Sequence, residues 1–98
     1  MQINDIYEEL KERKLCRSGH DFSKNYLGKH SSYLSVLKVR GDNPSIEVWT
    51  MLSYALQIRA QILAESKNDI VQLTAQRLSA LQQEVAANIM QECTARSQ

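Results

Sequence analysis

The side chains with the greatest potential for chemistry lie between positions 17 and 41, where cations, hydroxyls and imidazoles are concentrated. This basic segment holds both histidines of the chain and a single acid, Asp21. Its cations are Arg17, Lys24, Lys29, Lys38 and Arg40. Because the whole chain has a net charge of only +1, the positive charge is a local property of this segment. A basic surface of this kind favours a polyanionic partner such as nucleic acid.

Patterns that would support catalysis or metal binding are missing from the sequence. It contains no Gly-rich phosphate loop, no HExxH and no GxSxG. Three possible metal ligands occur near one another, namely Cys16, His20 and His30. A structural zinc site needs four ligands with closer paired spacing. The sequence therefore predicts neither an enzyme nor a protein that holds a metal or another cofactor.

The composition predicts one small all-α domain to position these side chains. The 98 residues are 43% hydrophobic and include only three glycines and one proline, too few for a fold rich in tight turns. No apolar run approaches the roughly 18 residues of a membrane span, so no membrane partner is expected. Cys16 and Cys93 are far apart and, with no signal peptide expected, are predicted to be reduced thiols of a cytoplasmic protein.

The spacing of apolar residues predicts several amphipathic helices. The first has its apolar face at Ile3, Ile6, Tyr7 and Leu10. A second begins at about Asp21, and a third covers residues 32–39 with Leu34 and Leu37 facing inward. After the turn at residues 41–44, Ser45 is a good helix N-cap and Trp49 lies on the next apolar stripe. Residues 66–69 indicate a break, although one bent helix instead of two remains open, and a final helix of about 25 residues follows.

Three landmarks in this order resemble the lambda-repressor-like helix-turn-helix family of the Cro/cI, or XRE, type. They are Leu27-Gly28, the run Ser31-Ser32-Tyr33-Leu34-Ser35, and Asn43-Pro44-Ser45. The resemblance covers about the first 65 residues. Lys24 stands where family members usually have a small Ala at the contact between the second and third helices, Lys38 replaces a common acid, and Gly41 is one residue late. The chain therefore resembles a divergent member of the family.

The resemblance implies a helix-turn-helix bundle over residues 1–65, extended by a C-terminal helix over residues 66–98. The third helix would enter the major groove of duplex DNA, as in a small bacterial or phage-type transcriptional regulator. Lysines and arginines would anchor phosphates, serines would contact bases, and His30 and Tyr33 would add shape or methyl contacts. The predicted DNA-binding residues are Arg17, His20, Lys24, Lys29, His30, Ser31, Ser32, Tyr33, Ser35, Lys38 and Arg40.

The long final helix predicts a homodimer, because its apolar stripe is longer than one partner helix easily covers. The residues expected to pair two copies are Ile70, Leu73, Leu78, Leu81, Val85 and Ile89. An alternative function stays open: a helical module that binds another protein, as an adaptor or antitoxin-like partner, and has kept the fold without DNA binding. Lys24 favours this alternative, whereas the basic segment argues against it.

Overall fold

The protein folds as five α-helices. The computed structural model describes residues 2–97, and that part of the chain contains no strand. The helices are α1 (Ile3–Glu12), α2 (Gly19–Asn25), α3 (Tyr33–Arg40), α4 (Ile46–Ala64) and α5 (Asp69–Ser97). The all-α class is therefore confirmed, and the residues after Ser45 form two helices instead of one bent helix. None of the described helices is long and apolar enough to cross a membrane.

Short polar side chains set the beginnings of three helices. The hydroxyl of Ser18 accepts a hydrogen bond from the backbone of Asp21, and that of Ser45 accepts one from Val48. The amide oxygen of Asn68 accepts from the backbone N–H groups at the start of α5. These caps satisfy donors that lack an intrahelical partner. Because Ser18 is the cap, α2 begins two residues earlier than the apolar spacing predicts.

A left-handed glycine lies on each side of α3. Gly28, in the connection from α2, has φ +65°, and Gly41, at the C-cap of α3, has φ +66°. Most residues pay a conformational cost there, and glycine does not. A Cβ on Gly28 would also lie only 3.3 Å from Cγ of Met51 on α4. Gly28 therefore allows a tight turn directly beneath α4.

All five helices contribute to one hydrophobic core. Trp49 is buried as expected, with 4% of its surface exposed. On α3, Leu34 is buried and Leu37 is half-buried against the core, which confirms the inward face predicted for that helix. The core also contains residues of α5, so it continues across the boundary expected between residues 65 and 66.

The dimer interface predicted for α5 has to be corrected at four of its residues. Leu78, Leu81 and Val85 are buried in the chain's own core, and the half-buried Ile89 packs against it. The physical reason is that α5 folds back along α4, where the Gln82 amide donates to the hydroxyl of Ser53. Of the six residues predicted for the interface, Ile70 and Leu73 are the two that remain available to contact another molecule, with 75% and 63% of their surfaces exposed.

An ion pair between distant parts of the sequence fastens α5 to α1. The Arg77 guanidinium donates to both carboxylate oxygens of Glu9, at 2.7 and 2.8 Å. These hydrogen bonds, with help from Arg13, hold the pKa of Glu9 below its usual range. Next to this ion pair, Leu81 of α5 and Ile6 of α1 line the same depression, while α4 packs along α5.

Candidate nucleic-acid interface

Every side chain predicted to contact DNA lies at the surface. All of them are exposed except Tyr33, which is half-buried. They come from the α1–α2 connection, from α2, from the turn at residues 26–32 and from α3. What matters for recognition is therefore how firmly α3 is held and what its outward face carries.

Ser23 ties α2, the turn and α3 together. It is fully buried, and its hydroxyl donates to the Gly19 carbonyl at 2.8 Å while accepting from the backbone N–H of Leu34 at 3.1 Å. Its own carbonyl accepts from the backbone N–H of Lys29 at 2.9 Å. One small residue thus satisfies polar groups at three points of the α2–α3 unit. Buried hydrogen bonds of this kind fix a single arrangement of the two helices.

The small residue at this helix contact is therefore Ser23, and its neighbour Lys24 is exposed. Sequence reasoning expected the contact at Lys24 and missed Ser23. The available signal was helical spacing, because Ser23 shares the buried face of residues 22, 23, 26 and 27. A Cβ built on Gly19 would lie 3.5 Å from the Leu34 side chain, which shows how closely the two helices approach.

The beginning of α2 and the middle of α3 share one shallow depression of about 260 Å³. His20 of α2 lies on its rim together with Ser35 and Lys38 of α3. The structure therefore brings these three predicted contact residues together. Lys24 lies one helical turn after His20 on the same exposed face of α2, so it extends this surface along the helix.

A second cluster surrounds the beginning of α3. Nδ1 of His30 lies 3.0 Å from the hydroxyl oxygen of Ser32, and its ring packs edge-on to Tyr33 with centroids 6.1 Å apart. The Lys29 ammonium lies 5.9 Å from the centre of the Tyr33 ring. Burial raises the pKa of Tyr33. Ser32 holds the N-cap position of α3, but its hydroxyl binds His30 and not a backbone N–H of the helix.

The one acid of the basic segment is occupied by local hydrogen bonds. The carboxylate of Asp21 accepts from the backbone N–H of Arg17 at 2.9 Å and from the Asn25 amide. The hydrogen bond from Arg17 is the main cause of its lowered pKa. In the described residues, the ion pairs within 4 Å are formed by Glu9 with Arg13, by Glu9 with Arg77, and by Glu84 with Arg77. The cations of the basic segment are thus not neutralised by salt bridges there.

The outward face of α3 includes two apolar residues that the sequence interpretation left out. Val39 has 89% of its surface exposed and Val36 has 36%. They lie one turn apart, on the side of the helix opposite Leu34 and Leu37. The helical period would have found them. At about 100° per residue, a helix that turns Leu34 and Leu37 toward the core must turn Val36 and Val39 away from it.

The residues considered as metal ligands are not assembled into a site. Cys16 is buried, and burial raises the pKa of its thiol, whereas His20 and His30 are exposed. Across residues 2–97, no three His, Cys, Asp or Glu side chains are grouped closely enough to hold an ion.

Residues 3–98 match a family described as a family of unknown function (DUF6626). No curated protein and no solved structure matches the chain.

Proposed function

Since the chain belongs to the family of unknown function DUF6626, we propose from its own residues that it is a sequence-specific duplex DNA-binding protein. It would act as a small transcriptional regulator of the lambda-repressor-like helix-turn-helix type, as a divergent member. The observation that supports this most directly is the pairing of α3 with α2 through the buried Ser23. That contact leaves one face of α3 uncovered beside cations that form no salt bridge within residues 2–97.

The proposed contacts follow from the position of each side chain. The major groove of DNA is wide enough to admit a helix. With the outward face of α3 in the groove, Ser31 and Ser35 meet base edges, while Lys29, Lys38 and Arg40 meet the phosphates on either side. Arg17, His20 and Lys24 contact the backbone from the α2 side. These charge-based contacts supply most of the affinity and make it fall with salt.

We further propose that the regulator is a homodimer paired through the end of α4 and the beginning of α5. Ile62, Ile70 and Leu73 are all more than half exposed on the two sides of the short α4–α5 connection. Exposed apolar side chains of this size often mark a protein interface. Two copies would present two α3 helices to successive major grooves about 34 Å apart.

The same exposed residues support a second candidate function, a helical module that binds another protein. Its partner would cover Ile62, Ile70 and Leu73, and DNA would not be involved. The argument for it from Lys24 is weakened, because Ser23 supplies the small residue that the α2–α3 contact needs.

Charge reversal on the basic segment separates the two candidates. We expect the double variant Lys29→Glu/Lys38→Glu to weaken binding to a random-sequence 24-base-pair duplex by about 100-fold at moderate salt. The slope of log affinity against log salt should become shallower by about two units, since each phosphate contact contributes about 0.9. Fluorescence anisotropy across a salt series measures both quantities.

The matched control compares a single charge reversal inside the basic segment with a single charge reversal outside it. Lys38→Glu should weaken binding about tenfold, whereas Arg96→Glu, an equal change of charge at an exposed residue near the end of α5, should have little effect. A mass-resolved column checks that both variants keep the oligomeric state of the wild type. Equal losses in both variants, or full binding by the double variant, would show that the basic segment is not the DNA surface.

A further inference from the structure

The outward face of α3 combines two hydroxyls with two apolar side chains. Ser32, Ser35, Val36 and Val39 lie opposite the face that enters the core. Val39 is the most exposed large hydrophobic residue in the described part of the chain, at 89%. Ordinary burial does not explain a valine pair in this place, because Leu34 and Leu37 already supply the inward face of this eight-residue helix.

Cations surround the valine pair. Val36 and Val39 line a shallow depression of about 330 Å³ together with Ser35 and Arg40. Lys38 lies between them in sequence, and Lys29 lies beside Tyr33 at the start of the helix. An occupant of this surface must therefore be negatively charged at its edges and apolar where it meets the valines.

Duplex DNA containing thymine has that arrangement. Its phosphates border the major groove, and the C5-methyl group of each thymine projects into the groove. RNA does not fit, because its major groove is deep and narrow and uracil lacks the methyl group. Charge complementarity together with the apolar centre thus selects DNA among polyanions.

We propose that Val36 and Val39 contact thymine C5-methyl groups and give the protein a preference for sites rich in A·T pairs. This inference rests on the proposed function and adds the residues that set its specificity. The serines on the same face discriminate weakly between bases, since a hydroxyl both donates and accepts. The valine pair therefore contributes the sharper distinction, by burying methyl groups that only thymine has.

Two duplexes that differ only in this methyl group test the inference. An alternating dA–dT duplex of 24 base pairs and its dA–dU counterpart have the same charge and the same hydrogen-bonding groups. Burial of a methyl-sized group changes an equilibrium by about fourfold. We expect the wild type to bind the dA–dT duplex about fourfold to tenfold more tightly, and Val36→Ala/Val39→Ala to bind the two duplexes almost equally.

The control variant is Met90→Ala, which removes an exposed apolar side chain near the end of α5 and should keep the wild-type preference. The valine variant should keep its salt slope, since no phosphate contact is removed. Binding of both duplexes with equal affinity by the wild type would overturn the methyl inference while leaving DNA binding in place. A thymine preference that survives in the valine variant would also overturn it. Absence of binding to either duplex would overturn the proposed function itself.

Discussion

The two helices α3 and α5 differ in what covers their apolar residues. The stripe of α5, with Leu78 and Val85, is buried by the chain itself, although its length suggested a second copy. The outward face of α3, where polar groups were expected, exposes Val36 and Val39. The comparison teaches that apolar spacing identifies a face that needs cover, while the neighbouring helices decide what provides it.

The lengths and connections of the helices explain the difference. The four residues between α4 and α5 fold the final helix back along a partner of 19 residues, and the Glu9–Arg77 pair brings α1 onto its other side. In contrast, α3 has eight residues between two turns that each contain a left-handed glycine, and its packing is confined to one side. The buried stripe of α5 is thus closed against other molecules, and the outward face of α3 is left open to them.

The largest predicted effect is on the free energy of unfolding, and it should distinguish two leucines of α5. Leu78→Ala should lower the free energy of unfolding by about 2–5 kcal/mol, because it leaves a cavity in the core. Leu73→Ala should change the stability of the monomer by less than about 0.5 kcal/mol, since that side chain is 63% exposed. Urea denaturation at low protein concentration measures both.

Self-association adds a second measurement on the same pair. Leu73→Ala should weaken the dimer, which analytical ultracentrifugation measures. Leu78 is buried within its own chain, so it should make no direct contact with a second copy. Similar stability losses in the two variants would mean that α5 is not divided into a covered part and an open part.

The next effect concerns the hydroxyl that joins α2 to α3. Ser23→Ala should cost about 1–3 kcal/mol, because the buried N–H of Leu34 loses its acceptor. The matched change Ser53→Ala, which removes the half-buried acceptor of Gln82, should cost less than about 1 kcal/mol. Hydrogen exchange of the Leu34 amide should become faster in the first variant only. Unchanged protection of that amide would show that Ser23 does not hold α3 in place.

Local features of the fold were predictable from the sequence because their causes are local. Ser45 caps α4, Gly28 provides the turn, and Trp49 and Leu34 enter the core, as their spacing and residue types indicate. The register of the α2–α3 contact was wrong by one residue. Lys24 and Ser23 are adjacent, and the distinction between an exposed and a buried position depended on where α2 begins.

Features that depend on distant parts of the chain were beyond sequence reasoning. Glu9 and Arg77 are 68 positions apart, so no spacing rule connects them. The cover of Leu78 likewise depends on the direction in which α5 leaves α4. At the candidate site, residue types sufficed to place charges and hydroxyls at the surface. The exposure of Val36 and Val39 is not indicated by residue type, because valine is usually buried.

The smallest predicted effect is a pH dependence that belongs to the closed region alone. The hydrogen bonds from Arg77 lower the pKa of Glu9 in the folded protein. Glu9 therefore stabilises the fold fully above its unfolded pKa, about 4.3, and this contribution disappears as the pH falls through the lower folded value. The two side chains remain 24% and 36% exposed, so screening limits the contribution to about 1 kcal/mol at pH 7.

Glu9→Gln should accordingly lower the free energy of unfolding at pH 7 and approach the wild type as the pH falls below the lowered pKa of Glu9. Glu84→Gln is the control, because its carboxylate is half exposed and lies 3.7 Å from the same guanidinium. Affinity for duplex DNA at pH 7 should be the same in both variants, since Ser23 ties α3 to α2 and neither carboxylate takes part in that contact. A deficit in Glu9→Gln that persists at low pH would assign the effect to lost packing. A parallel loss of DNA affinity would mean that the closed and open regions are coupled.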